Sequence, residues 1–119
     1  MKKLCAVYGS LKKGYSNHDM FLGRAKYVGT TITGPRYTMY SLGGFPGVVE
    51  NGDTAIHLEI YEVTEKEDRE IESLEGYHKE APQHSFYLKK EIDTEFGKAS
   101  IYIFNKKSDE LPIIETGNW

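Results

Sequence analysis

Turn signals cut this chain into pieces too short for anything but strands, with one clear exception. Gly9-Ser10, Gly34-Pro35, Gly43-Gly44-Phe45-Pro46-Gly47, Asn51-Gly52-Asp53, Ala81-Pro82 and the stretch from Asp93 to Gly97 each interrupt the hydrophobic pattern. Leu4 to Tyr8 is apolar on both faces and predicts a strand inside a sheet. Ala25 to Ile32, Arg36 to Leu42, Thr54 to Val63, Ser85 to Ile92 and Lys98 to Phe104 read as further strands, with Val48-Val49 as a brief one. Ile56, Leu58 and Ile60 share one face of their segment, and Ala99, Ile101 and Ile103 one face of theirs. Asn51-Gly52-Asp53 carries a hairpin-type turn signal.

The exception is Glu65 to Leu74. Thr64 with Glu67 three residues on spells a capping box, Ile71 and Leu74 form a narrow apolar stripe, and Gly76 ends the helix. A shorter helical segment follows Asn17, which has the side chain of an N-cap. Six or seven short strands with one or two flanking helices predict an α+β fold. That much strand in a small chain suggests a small, mixed, curled or barrel-like sheet.

Size and charge narrow the function. With 119 residues and no internal repeat or linker, the reading is a single domain over residues 1–119. Hydrophobic residues reach 39% and aromatic residues 13%, too apolar for a disordered chain. The net charge of −3 excludes a binder held to nucleic acid by a basic field. The Lys12/Lys13, Lys89/Lys90 and Lys106/Lys107 pairs read as solvated edges, with Lys12 and Lys13 adding positive charge beside the first loop. One cysteine, Cys5, allows neither an intrachain disulfide nor a cysteine zinc site, and fits a reducing compartment. The opening apolar run stops at Gly9-Ser10, short of a signal peptide core, and no run approaches a membrane span. The expectation is a cytoplasmic protein without nucleic-acid or membrane partners.

Two segments carry candidate chemistry. In Val7-Tyr8-Gly9-Ser10-Leu11-Lys12-Lys13-Gly14 a strand ends in an irregular loop, where successive N–H groups can gather around a carboxylate, a phosphate or an oxyanion. A Walker loop is excluded, because Tyr15 follows Gly14. The second segment is Leu74-Glu75-Gly76-Tyr77. A carboxylate at a helix C-terminus faces the unfavourable end of the dipole, and burial would raise its pKa further, towards the range useful for proton transfer. Taken alone, the first segment is also an ordinary turn and Glu75 one more acid in a charged run. His18, His57, His78 and His84 lack metal-ligand spacing, and Ser10 lacks a nucleophile motif or an identifiable base.

Five segments in order resemble the γ-glutamylcyclotransferase-like (AIG2-like) family. They are Tyr8-Gly9-Ser10-Leu11-Lys12 with Asn17-His18 and Leu22, then Phe45-Pro46-Gly47-Val48-Val49, Ile71 to Gly76, Ala99 to Phe104, and Gly117-Asn118-Trp119. The first looks closest to the γ-glutamylamine cyclotransferase branch. The chain departs from the family pattern at Glu72 (for Asp), Lys89 (for Arg) and Asn118 (for Asp), which bears on specificity. The resemblance implies a small mixed barrel in which the first loop and Glu75 share a pocket. It implies a cyclisation in which a γ-glutamyl amide's own α-amine attacks its γ-carbonyl, releasing 5-oxoproline and a free amine or amino acid. Glu75 is then the general acid and base. Tyr8, Gly9, Ser10, Leu11 and Tyr102 bind substrate, and neither metal nor organic cofactor is needed. A catalytically inactive binder of small anions on the same scaffold is the alternative, and oligomeric state is open. Leaving-group contacts are expected from Gly14 to Asp19 and from Tyr77 to His84.

Overall fold

The structure, a computed structural model, describes residues 3–106 and 110–119; Lys107, named in the readings above, lies outside them. The chain runs β1 (Lys3–Val7), α1 (His18–Leu22), β2 (Lys26–Ile32), β3 (Tyr37–Ser41), β4 (Pro46–Thr54), β5 (His57–Val63), α2 (Glu65–Leu74), a single 3-10 turn (Pro82–His84), β6 (Tyr87–Thr94) and β7 (Gly97–Phe104). The predicted α+β class, with six or seven strands and one or two helices, is found here with seven strands and two α-helices among the described residues.

Five strands form a mixed sheet in the order β2-β5-β1-β7-β6, and β3 pairs with β4 in a separate two-stranded sheet. β1 runs antiparallel to β5 and parallel to β7. The strands do not close into a barrel. β2 and β6 are free edges, and the curvature expected of one closed sheet is replaced by two sheets laid over each other. The all-apolar β1 run is satisfied as predicted, because its two faces meet two cores. Ala6 and Tyr8 join Met39, Val48, Ile56, Leu58, Ile60 and Ile101 on the side of the small sheet. Cys5 and Val7 join Leu22, Tyr61, Ile71 and Tyr102 on the side of the helices.

Some local expectations shift. β4 covers nine residues, not Val48-Val49 alone. Its partner register jumps from Thr38↔Val49 to Tyr37↔Thr54, so Asn51-Gly52-Asp53 is a bulge inside β4 and not a hairpin turn. The Thr38 hydroxyl donates to the Asn51 carbonyl at 2.6 Å and closes this bulge. Tyr61, on the face of β5 opposite Leu58 and Ile60, is itself buried under the helices.

α2 keeps its predicted bounds. Thr64 Oγ accepts from the Glu67 N–H at 3.2 Å, and Glu67 Oε1 accepts from the Thr64 N–H at 2.9 Å. Its far end closes as a Schellman motif: Tyr77 N–H donates to the Glu72 carbonyl at 3.0 Å and Gly76 N–H to that of Ser73 at 3.2 Å. Gly76 takes φ +67, and a Cβ there would lie 3.1 Å from that of Phe86, so both the backbone and the space demand glycine. The buried face of α2 is Asp68 and Ile71, while Leu74, expected in the core, is exposed.

Candidate active site

A cavity of about 380 Å³ opens at the C-terminal end of β1, where the first loop, the end of α2 and the starts of β4 and β6 meet. Tyr8, Gly9, Ser10, Leu11, Glu75 and Tyr102 all line it, so the six residues singled out from sequence come together in one place.

The loop after β1 is tied from behind. Lys12 N–H donates to the Gly9 carbonyl and Asn17 N–H to the Ser10 carbonyl, both at 3.0 Å. Asn17 stands at the N-cap of α1 but does not cap with its side chain; its Nδ2 donates instead to Ser10 Oγ at 2.9 Å. His18 Nδ1 lies 2.9 Å from the Leu11 carbonyl oxygen. The Asn17-His18 pair thus spends its polar atoms on loop shape. Meanwhile the N–H groups of Gly9, Ser10 and Leu11 have no acceptor among the described residues. Such a run of free donors at a cavity wall suits an anion or a developing oxyanion. Gly9 is required by contact: a Cβ there would lie 2.7 Å from Pro46 Cδ.

Three tyrosines build the floor. Tyr8 Oη donates to the Tyr102 carbonyl at 2.6 Å and accepts from the Val48 N–H at 3.3 Å. Tyr87 Oη donates to the Pro46 carbonyl at 2.6 Å. The Tyr102 hydroxyl is buried with no partner among the described residues. Burial, with Tyr87 and Glu75 nearby, pushes the Tyr8 hydroxyl well above its usual pKa, so it stays a neutral donor. Burial likewise pushes Tyr102 up.

Glu75 is the C-cap of α2. Its carboxyl faces the cavity without a hydrogen-bond donor among the described residues, and burial raises its pKa from 4.5 to about 7. A group balanced near neutrality can take up and return a proton. No three His, Cys, Asp or Glu side chains converge among the described residues as a metal would require.

Sequence reasoning missed a buried ionic cluster behind this wall. Asp68 on α2 is 4% exposed. Lys89 Nζ, from β6, donates to Asp68 Oδ2 at 2.8 Å and to Glu72 Oε2 at 2.7 Å. Burial would lower the Lys89 pKa, but its bonds to these two carboxylates outweigh that and raise it. Lys89 is therefore a structural cross-link and not a solvated edge. Lys12 is corrected in the same way: it is 7% exposed, and its Nζ donates to Asn118 Oδ1 at 3.1 Å. Phe45 and Phe86, absent from the predicted site, line the cavity as well; of the expected leaving-group segments, Gly14 to Asp19 contributes Ser16 and Asn17 to it, whereas Tyr77 to Ala81 and His84 line a separate depression.

A family model described as "Gamma-glutamyl cyclotransferase, AIG2-like" matches residues 5–119. The chain belongs to the AIG2-like γ-glutamyl cyclotransferase family. A Vibrio cholerae relative, provisionally named a gamma-glutamylcyclotransferase, is 36% identical over 119 residues, covering 100% of this chain and 96% of its own. The gamma-glutamylcyclotransferase family protein YtfP of Escherichia coli K12 is 31% identical over 113 residues, 95% of this chain and 92% of YtfP. Among solved structures, an uncharacterized protein from Pyrococcus horikoshii superposes with a TM-score of 0.79 at 28% identity, covering 98% of this chain and 88% of that one. In this AIG2-like chain four of the five segments carrying the resemblance contribute residues to the cavity lining, and Gly117-Asn118-Trp119 does not. No helix among its described residues is long and apolar enough to cross a membrane.

Proposed function

We propose that this chain is a γ-glutamyl cyclotransferase. The observation that carries the reading is one cavity holding a carboxyl poised near pH 7 opposite a row of unoccupied backbone donors. Family membership and the names of the relatives support the same reaction type.

The free N–H groups of Gly9, Ser10 and Leu11 hold the substrate α-carboxylate or the oxyanion formed at the γ-carbonyl. Tyr8 and Tyr102 shape the floor beneath the glutamyl chain. Ionised Glu75 takes a proton from the substrate ammonium. The freed α-amine then attacks the γ-carbonyl carbon, forming the C–N bond of a five-membered ring. Glu75 returns the proton to the amide nitrogen as its bond to that carbon breaks, and the re-ionised carboxylate then takes the second proton from the ring nitrogen and passes it to the freed amine, so 5-oxoproline and an ammonium leave and no water is consumed. Because the attack is intramolecular, orientation supplies much of the rate, with effective molarities of about 10⁵–10⁸ M for well-aligned closures. Proton transfer through Glu75 adds about 10²–10⁴-fold.

The test is 5-oxoproline release from γ-glutamyl amines, amino acids and peptides by wild type and Glu75→Gln. Release by wild type with a loss of at least 10²-fold in a folded Glu75→Gln variant is expected. Equal release by both would overturn the role of Glu75, and release from no substrate would leave an anion-binding protein.

A further inference from the structure

The cavity has two chemically different halves. The inner half holds the free N–H groups, Glu75 and the buried tyrosines. The outer rim is apolar and open to solvent on the side of Phe45, 39% exposed, and of Leu74 and Phe86, each 37% exposed, while exposed Ser16 and half-buried Asn17 are its polar residues beside the first loop. The rings of Phe45 and Phe86 meet edge to face, with centroids 6.1 Å apart. The rim is built in, not adventitious. Phe86 N–H donates to the Gly76 carbonyl at 2.9 Å, which fixes that ring one residue from Glu75. Phe45 precedes Pro46, which is held by Tyr87 Oη and by its contact with Gly9. Leu74 is the chain neighbour of Glu75 on its other side.

Charge is as informative as apolarity. Glu75 is the only formally charged residue among those lining the cavity, and its task is proton transfer. Lys106 stands beside the rim, its Nζ 5.9 Å from the centre of the Phe86 ring. Apart from Glu75, an ammonium carried by the departing half would meet no carboxylate among the described residues lining the cavity, and one like charge beside it. The amide nitrogen must sit beside Glu75 to be protonated, so whatever it carries emerges between Leu74, Phe86 and Phe45. At about 380 Å³ the cavity is near the lower end of small-molecule pockets, about 300–1,000 Å³. It suits a dipeptide-sized amide and not a protein side chain presented on its backbone.

We infer that Phe45, Leu74 and Phe86 form the leaving-group subsite, and that the preferred substrates are γ-glutamyl amides of uncharged, apolar amines, aromatic ones above all. This rests on the cyclotransferase reading and adds the substrate class to it. It also moves the leaving-group contacts away from Tyr77 to His84, where the sequence placed some of them.

The experiment compares γ-glutamyl-benzylamine, γ-glutamyl-methylamine and γ-glutamyl-cadaverine, which share the reacting amide and differ beyond it. 5-Oxoproline release gives kcat/KM for each. The benzyl amide is expected to exceed the methyl amide by about tenfold or more, in keeping with apolar discrimination in pockets. The cadaverine amide is expected to fall below the benzyl amide. Phe45→Ala and Phe86→Ala each shrink the benzyl-to-methyl ratio, and Phe45→Glu raises the cadaverine-to-benzyl ratio. Phe86 also packs on Tyr87 and Phe104, so Phe45→Ala and Phe45→Glu carry the test if Phe86→Ala does not fold. A wild-type benzyl-to-methyl ratio near one, a preference for cadaverine, or ratios indifferent to the Phe45 variants would overturn the subsite. If none of the three amides yields 5-oxoproline, the cyclotransferase reading fails for these substrates. Calorimetric binding of the same amides then judges the subsite alone: benzyl tighter than methyl by about tenfold supports it, and equal affinities overturn it.

Discussion

Glu75 shows how one residue's position both tunes a proton-transfer group and carries a cost in stability. Burial favours the neutral acid and raises its pKa from 4.5 to about 7. The folded state therefore holds this proton more tightly than the unfolded chain. Below about pH 4.5 both states are protonated and the group costs nothing. As pH rises from there to 7, the folded state loses about 1.4 kcal/mol per pH unit, about 3 kcal/mol in all. Glu75→Gln is thus expected to be about 1–3 kcal/mol more stable than wild type at pH 8, with the gain gone at pH 4; urea unfolding at the two values checks it. In wild type, kcat/KM is expected to rise with pH through a limb near 7 that the variant lacks. The position of Glu75 was legible because helix ends are local: Gly76 marks the stop, and the acid before it must sit at the cap. The burial of Asp68, in the same acidic run, was not legible. Its partner Lys89 comes from β6, and nothing within α2 announces it.

The elements explain that contrast. α2 was readable to the residue because Thr64, Glu67 and Gly76 carry its start and stop signals in short-range hydrogen bonds. How α2 docks depends on side chains far away in sequence. Ile71 supplies the apolar contact, and Lys89 clamps Asp68 and Glu72 to β6. Replacing Lys89 with Met leaves buried Asp68 with only the exposed Lys3 Nζ, 3.7 Å away, and is expected to cost about 3 kcal/mol, whereas Lys89→Arg keeps the pair and most of the stability. Equal losses in the two variants, by thermal unfolding, would mean that packing and not charge holds the helix. Strand limits were less legible than helix limits. The signal at Asn51-Gly52-Asp53 fits a hairpin equally well until β3 is in place to show a bulge, and Leu74 reads as core until the cavity beside it is seen.

At the scale of the whole molecule, the order of motifs was readable and their closure was not. Nothing along a strand says whether its sheet will meet its own first edge, so one curled sheet and two stacked sheets share a sequence pattern. The C-terminal segment completes the assembly. Ser41 N–H donates to the Pro112 carbonyl and Ile114 N–H to that of Met39, both at 2.8 Å, so this segment covers the edge of β3. It then reaches the first loop through Asn118 to Lys12 and through the Trp119 carbonyl, which accepts from Tyr15 Oη at 2.9 Å. Gly117 makes this path possible: it takes φ +66, and a Cβ there would collide with the Ala55 carbonyl oxygen. Gly117→Ala is expected to cost about 2–4 kcal/mol in urea unfolding, to change the fluorescence of Trp119, the chain's one tryptophan, and to raise KM as the loop loses its anchors. The parallel pairing of β1 with β7 has a consequence in time. Tyr8 and Tyr102, which together make the cavity floor, are 94 positions apart. During synthesis β1 emerges first and can pair with β5 midway, but it must wait for nearly the whole chain before its parallel partner β7 exists. Closing so long a loop is slow, because its entropy is lost before the contacts that repay it are made. The central sheet and the cavity floor are therefore completed together and late, and an interrupted chain has no half-built site to offer.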